Sequence, residues 1–230
     1  MDVTSVPLGT PTVAIGSVPG IGYGDGVQTK HALHDVARRL GWSTPGGGDF
    51  GAVIPAGARV LVKPNWVIHA NRGPWGLEPL VTHPSLVKAV VEEALKSKAA
   101  QVIAGDAPIQ GCDFDQLMQG GDYLGWAETL TDSEPRFGGL RDFRRTKSMA
   151  HDWHRNTARD QRALEHFVLF DLGGESLLEP ITVDGAFRVT MYDPELMRRT
   201  HAPGRHQFLV AREILEADVV INLPKLKTHK

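Results

Sequence analysis

The chain has little cysteine and no excess of either charge. Cys112 is its only cysteine, which excludes an internal disulfide and any all-cysteine metal or iron–sulfur site within these residues. Lysine and arginine number 25 against 27 aspartate and glutamate, a formal charge of −2. Because a nucleic-acid-binding protein needs a clear basic excess to contact phosphates, we expect no nucleic-acid partner.

Long apolar runs are also missing, and the sequence begins without a basic, apolar leader. A helix that crosses a membrane needs about 20 consecutive apolar residues, so we expect no membrane span, no secretory signal and a cytoplasmic protein. Hydrophobic residues make up 41% of the 230 residues and charged residues 23%. This ordinary composition excludes wholesale disorder and is typical of a globular chain, which we expect to form a single α/β domain over residues 1–230.

Short β-branched runs alternate with helical patterns along the chain. Strands are predicted at 12–18, 59–65, 101–104, 167–172, 187–191 and 218–223, and helices before Gly41 and at 85–99, 114–129 (broken at Gly120 and Gly121) and 207–217. Strand, helix and strand joined by short links predict a right-handed crossover. The sequence therefore predicts a three-layer α/β fold with a mainly parallel sheet and flanking helices. Residues 111–162 are predicted as an inserted helical or irregular region.

Polar side chains follow three of the predicted strands. They are Lys63 and Asn65 after the second strand, Asp106 after the third, and Lys225, Lys227, Thr228 and His229 after the last. In open α/β sheets, ligands bind beyond the carboxyl ends of the strands, and strand ends about 4.8 Å apart can share one crevice. Three lysines with one acid predict a pocket for a carboxylate or phosphate, with Asp106 as an acid, base or metal contact. The alternative is that these lysines are solvated loop charges.

Thr82 and His83 precede the helix that follows the second strand. A helix N-terminus attracts anions through its unpaired N–H groups and its dipole. Both residues can also cap the helix. The two roles are compatible, because a capping side chain can face a ligand.

Other motifs carry weaker signals. The glycine-rich loop at 20–26 lacks the third glycine of the dinucleotide-binding fingerprint and is predicted to be a tight loop between strand and helix, with phosphate binding as the alternative. His151 and His154 have helical spacing but no third ligand, so we predict a polar surface pair and no metal site. Cys112 is interpreted as a structural thiol. The basic run at 136–147 is interpreted as a solvated face, with docking on a negatively charged partner as the alternative.

Four sequence blocks resemble a known family. They read V-L-V-K-P-N-W-V at 60–67, T-H-P-S-L-V-K-A-V at 82–90, G-D-A-P at 105–108 and D-V-V-I-N-L-P-K-L-K-T-H at 218–229. In order and rough spacing these blocks are similar to the bacterial and archaeal family called domain of unknown function 362. The resemblance covers about residues 55–229, and its most specific block is the last.

The resemblance implies an α/β fold whose characteristic loops carry the same residues as the strand-end argument. The candidate catalytic residues are Asp106, Lys63, His83 and His229, and the candidate substrate-binding residues are Asn65, Thr82, Lys225, Lys227 and Thr228. Some relatives carry a ferredoxin-like iron–sulfur segment. The family also continues past the last block, so the resemblance predicts a truncated chain with an incomplete sheet.

Three functions follow from these observations. The first is an enzyme-like site for a small anionic ligand. The second is a non-catalytic accessory that docks on an iron–sulfur or redox partner through 136–147. The third is an inactive fragment of a longer enzyme. The sequence leaves the reaction, the cofactor and the oligomeric state unassigned.

Overall fold

The computed structural model describes residues 12–20, 23–148, 158–183, 187 and 194–227. Its helices are α1 (Gly26–Arg39), α2 (Pro84–Lys96), α3 (Phe114–Gly120), α4 (Leu124–Ser133), α5 (Pro194–Thr200) and α6 (Arg212–Glu216). Its strands are β1 (Arg59–Pro64), β2 (Gln101–Asp106), β3 (Phe137–Asp142), β4 (Thr146–Ser148), β5 (Ala158–Asp160), β6 (Phe167–Asp171), β7 (His201–Ala202), β8 (Arg205–Ala211) and β9 (Val219–Leu223). No described helix has the length and apolar content that a bilayer crossing demands.

The central sheet has four parallel strands in the order β3-β2-β1-β9. Val60, Leu61 and Val62 of β1 are all buried, because a strand inside a parallel sheet is covered on both faces. The predicted α/β class with a mainly parallel sheet is confirmed. The expectation of a single domain stays a prediction.

Helices cover the two faces of this sheet unequally. On one face, Val60 and Val62 join Val90, Val91 and other side chains of α2 in the main core, and α4 packs there through Trp126 and Leu130. On the other face, a smaller cluster of Leu61, Ile103 and Phe143 packs against Ala211 and Ala217, which flank α6. The sheet therefore lies between two helical layers, of which the second is thin.

Local sequence explains where α1 and α2 begin and end. Asp25 caps α1 by accepting the N–H groups of Val27 and Gln28, and Gly41 follows the helix with a φ of +70° that favours glycine. His83 caps α2, and Pro84 occupies its first turn, where a missing N–H costs nothing. Both helices match the sequence prediction to within a few residues.

The prediction of a strand at 12–18 is wrong. This segment carries no regular secondary structure, and Val13 and Ile15 are 81% and 80% exposed. It lies along α1, because the side chain of Arg39 donates to the carbonyl of Ile15 and a Cβ at Gly16 would come within 2.7 Å of Val36. A β-branched run fits an extended chain but does not by itself supply a sheet partner.

The prediction of an insertion over 111–162 is wrong for β3, which is an edge strand of the central sheet. The two predicted helical stretches are present as α3 and α4, separated near Gly120 and Gly121 as expected. β3 was missed because Gly138 and Gly139 interrupt its apolar pattern. Gly138 is required there, since a Cβ would lie 2.4 Å from the side chain of Ile103.

The helix predicted at 207–217 is wrong over its first half. Gln207 to Ala211 belong to β8, which pairs antiparallel with β6 and β7 in a separate small sheet, and only α6 is helical. The strand at 218–223 is confirmed as β9, but Val220 is 43% exposed, so β9 is a half-exposed strand and not a buried one. Apart from Phe187, the strand predicted at 187–191 lies outside the described residues.

Candidate functional site

The order of the strands identifies one end of the sheet as a crevice. The chain moves outward from β1 through β2 to β3 and then returns to place β9 on the opposite side of β1. The connections consequently run on opposite faces, with α2 and α4 on one and α6 on the other. At such a switch point the two connections diverge and leave a crevice beyond the carboxyl ends of the strands. By this rule a binding crevice is expected between the segments that follow β1 and β9, and the region is called the crevice below.

Thr82 joins the ends of these two strands. Its hydroxyl accepts the N–H of Asn65 at 2.9 Å and donates to the carbonyl of Leu223, and its own N–H donates to the carbonyl of Asn65 at 3.0 Å. Thr82 is 2% exposed. Its hydroxyl is therefore used inside the protein, where it fixes the spacing of β1 and β9 at the floor of the crevice.

Lys63 and Asp106 form an ion pair across the ends of β1 and β2. The ammonium lies 2.9 Å from Oδ1 of Asp106, and Oδ2 accepts the N–H of Trp66 at 2.8 Å. Asp106 is 8% exposed, whereas Lys63 remains half-buried. The carboxylate thus holds both the Lys63 side chain and the segment after β1.

The two remaining described lysines differ in what they contact. Lys227 donates to the carbonyl of Leu80 at 3.4 Å, and the side-chain amide of Asn65 donates to the same oxygen at 3.1 Å. Lys225 is half-buried, and within the described ranges nothing accepts a hydrogen bond from its ammonium or forms an ion pair with it. Thr228 and His229 lie outside the described residues.

His83 lies at the start of α2, where its ring contacts Ser85 and Tyr23. Its Nδ1 accepts the N–H of Ser85 at 3.3 Å and lies 2.9 Å from the Ser85 hydroxyl, and its ring stacks on Tyr23 at a centroid distance of 5.6 Å. Burial lowers the pKa of His83 below 6.5, and the charges of Lys225 and Lys88 lower it further, against an opposing effect of Glu78. The lowered pKa favours the neutral imidazole near pH 7.

The structure thus brings together five of the predicted residues at the crevice. Lys63, Asn65, Thr82, Asp106 and Lys227 are connected through the contacts above, directly or through a shared backbone atom. His83 follows Thr82 in the chain, and the charge of Lys225 reaches it. Three lysines and the buried carboxylate of Asp106 lie around the crevice, and only Lys63 pairs with that carboxylate.

A cavity of about 640 Å³ adjoins this crevice. It lies between the first turns of α1 and α2 and the segment from α3 to Tyr123. Its apolar lining consists of Val27, Trp66, Leu77, Val81, Pro84, Leu117 and Tyr123, and its polar lining includes Asp25, Lys30, Glu78, His83, Ser85, Lys88, Glu92 and Asp122. The cavity was not foreseen, because its walls come from four separate parts of the sequence.

Every arginine of the basic run at 136–147 has an acidic partner within the chain, and Arg141 and Lys147 of the run are exposed to solvent. Its arginines pair with acids: Arg136 with Glu134, Arg141 with Glu213, Arg144 with Asp142, and Arg145 with Asp160. Arg144 is buried and also donates to the carbonyls of Ile109 and Cys112. These contacts give the run a structural role. Docking of this run on an iron–sulfur or redox partner stays a prediction.

Cys112 is buried, and burial raises the pKa of its thiol to about 11. A thiol held protonated at neutral pH is a poor nucleophile, which is consistent with its interpretation as structural. His151 and His154 lie outside the described residues. Across the ranges the structure describes, no three His, Cys, Asp or Glu side chains converge where they could hold a metal ion.

Sequence reasoning missed the groups that act through the backbone. The Trp66 N–H orients Asp106, and the Leu80 carbonyl receives both Asn65 and Lys227. The sequence contains no signal for either contact, since any residue type supplies an N–H or a carbonyl. Ser85 could have been identified from the sequence, because a serine two positions after a capping residue lies in the first helical turn.

Comparison with known proteins places the chain in a family. The model of the family described as "Domain of unknown function (DUF362)" matches residues 60–156 and 174–230, which together make up more than half of the sequence. No curated protein and no solved structure matches at a significant level. The matched segments contain the ends of β1, β2 and β9 and the start of α2, and hence every residue of the crevice. The chain belongs to the family of domain of unknown function DUF362.

Proposed function

We propose that this domain binds a small anion, a carboxylate or a phosphate, in the crevice between the ends of β1 and β9. The observation that carries the proposal is Lys225, a half-buried ammonium without a described partner at the switch point of the sheet. An ammonium group in this position has no counter-charge among the described residues, and an anionic ligand would provide one.

The other residues of the crevice have distinct parts in this proposal. Lys227 adds a second positive charge beside the Leu80 carbonyl. Lys63 is already paired with Asp106, so it contributes less charge than its position in the sequence indicated. Asn65 offers its amide group, and Thr82 acts as a positioning residue that sets the width of the crevice.

His83 gives the crevice an enzyme-like property. A neutral imidazole has one nitrogen that donates and one that accepts a hydrogen bond, and near neutral pH it can exchange a proton with a bound ligand. Asp106 is the second candidate for proton transfer, although both of its oxygens are engaged in the structure described here. The proposal assigns a ligand class and candidate acid–base groups and leaves the reaction open.

Isothermal titration calorimetry with inorganic phosphate and with acetate tests the proposal. Lys225→Met keeps the length of the side chain and removes its charge. Lys98→Met is the matched control, because Lys98 is exposed and lies at the opposite end of the strands, where its carbonyl accepts the N–H of Gly57.

We expect binding of at least one of the two anions, weakened at least tenfold by Lys225→Met and unchanged by Lys98→Met. Circular dichroism of each variant verifies that the fold is intact. Equal affinities in the two variants would show that Lys225 is a solvated loop charge and would overturn the assignment.

A further inference from the structure

The cavity beside the crevice has a base of buried apolar and aromatic side chains and a charged rim of four acids and two lysines. Trp66 and Tyr123 are both about 1% exposed and meet edge to face at a centroid distance of 5.6 Å. Val81 and Leu117 belong to the same buried layer, and the half-buried Leu77 and the exposed Val27 add apolar surface that a ligand can reach. A concave site of this volume and composition suits the carbon skeleton of a small molecule.

The charges at the rim do not favour a free ion inside the cavity. Lys30 pairs with Glu92, and Lys88 donates to both the carbonyl and the carboxylate of Asp122 while lying over the Tyr123 ring. The N–H groups of the first turns of α1 and α2 are also engaged, by Asp25 and His83. The cavity itself therefore offers apolar contact and not ionic attraction.

Three short links place the cavity directly against the crevice. Trp66 lines the cavity and follows Asn65, and His83 lines it and follows Thr82. Val81 lines it and follows Leu80, whose carbonyl receives Lys227. The polar residues of the crevice and the apolar residues of the cavity thus alternate along the same chain segments. His83 is half-buried at this boundary and lines the cavity.

We propose that the ligand is an acid with a flat apolar or aromatic body, whose body occupies this cavity and whose anionic group meets His83 and Lys225 at the crevice. This inference rests on the proposed function and narrows its ligand class. Apolar surface removed from water drives the binding of the body, at about 25 cal/mol per Å², and the anionic group fixes its orientation.

Three probes separate the two halves of this ligand. Naphthalene-2-carboxylate carries both the body and the charge, acetate carries only the charge, and naphthalene-2-carboxamide carries the body with a neutral group. In calorimetric titrations we expect the naphthoate to bind at least tenfold more tightly than either of the others.

Two substitutions locate the body in the cavity. Val27→Trp places an indole at the rim from an exposed position on α1, and Val13→Trp, at a valine that is 81% exposed and outside the cavity lining, is its control. We expect Val27→Trp to weaken naphthoate at least fivefold and to leave acetate unchanged, while Val13→Trp changes neither. Leu77→Ala, which removes apolar contact at a half-buried position, provides an independent reduction of naphthoate affinity.

The outcomes distinguish the two proposals. If naphthoate binds no more tightly than acetate, or if Val27→Trp and Leu77→Ala leave its affinity unchanged, the cavity inference is overturned and the anion site stands. If naphthoate and the carboxamide bind equally and acetate and phosphate do not bind, the cavity takes an apolar ligand and the anion site is overturned together with the combined ligand.

Discussion

The ammonium of Lys63 lies 2.9 Å from Oδ1 of Asp106, and the second oxygen of that carboxylate accepts the N–H of Trp66 at 2.8 Å. One buried acid therefore neutralises one lysine of the crevice and holds the segment that follows β1. The positive charge left for a ligand belongs to Lys225 and Lys227. Because Lys63 is paired with a carboxylate and, among the described residues, the other two lysines are not, substitutions at these residues should have different effects.

Asp106→Asn should strengthen anion binding and weaken the fold. The amide keeps an oxygen for the Trp66 N–H but releases Lys63, which then adds its charge to the crevice. Because the pair lies between the exposed and the fully buried cases, we expect a loss of about 1–2 kcal/mol in the free energy of unfolding. Urea denaturation measures the stability and phosphate titration the affinity, with Asp132→Asn at an exposed position on α4 as control. Weaker phosphate binding by a folded Asp106→Asn would mean that Asp106 itself contacts the ligand.

Thr82→Val should cost more stability than its small change in shape implies. The substitution leaves the Asn65 N–H and the Leu223 carbonyl without the hydroxyl between them. Each buried polar group left unpaired costs about 1–3 kcal/mol, so we expect a total loss of about 2–6 kcal/mol in the free energy of unfolding.

Thr82→Ser keeps the hydroxyl and is the matched control. Urea denaturation should give it nearly the stability of the unsubstituted chain. If the valine and serine variants were equally stable, the hydroxyl bridge between β1 and β9 would not contribute to the free energy of unfolding.

His83 should titrate below pH 6.5, mainly because it is buried and in part because of Lys225. NMR titration of the histidine ring protons measures this pKa directly. Removing the charge in Lys225→Met should move the pKa of His83 up toward 6.5. His201 is an internal control, since burial and then the nearby His206 lower its pKa. If the pKa of His83 is the same with and without Lys225, that lysine does not lie close enough to His83 to belong to the site.

The lowered pKa of His83 also predicts the sign of a stability change with pH. The unfolded chain binds a proton at His83 more readily than the folded chain does, so this contribution to stability is complete above pH 6.5 and is lost as the pH falls through the folded-state pKa. His83→Asn keeps a capping side chain and removes the titration. Thermal or urea unfolding at pH 7 and pH 5 should show a smaller pH dependence in the variant. An equal dependence in both chains would contradict the assignment.

Cys112 should be unreactive in the folded protein, because burial raises the pKa of its thiol to about 11. Iodoacetamide at pH 8 should label the native chain much more slowly than the chain in guanidinium chloride. The chain has one cysteine, so the mass of the product reports on this thiol alone. Equally fast labelling of the native and denatured chains would show that Cys112 is exposed and activated.

The sequence identified the elements with continuous apolar patterns and missed those defined by their partners. β1 and α2 could be predicted because Val60 to Val62 form an unbroken buried run and the helix has a regular apolar stripe. The run at 12–18 has the same β-branched character but lies along a helix, a tertiary choice that local pattern does not encode. β3 was hidden by Gly138 and Gly139, whose missing side chains make its close approach to β2 sterically feasible.

For the candidate site, residue types were easier to predict than their relationships. The contact between Lys63 and Asp106 could be expected, because the two residues stand at the ends of consecutive parallel strands, which are usually neighbours. The place of β9 beside β1 depends on strand order, which the sequence does not state, and so does the bridge that Thr82 makes to Leu223. The unequal roles of the three lysines depend on side-chain pairing and became clear only from the structure.

The most direct test of the central claim is an amide NMR titration of the isotopically labelled chain with inorganic phosphate. We predict saturable shifts concentrated at Asn65, Trp66, His83 and Lys225, the residues around the ends of β1 and β9, and their loss in Lys225→Met but not in Lys98→Met. Shifts that are absent, or that concentrate away from this crevice, would contradict the proposal that the DUF362 domain of this chain binds an anion there.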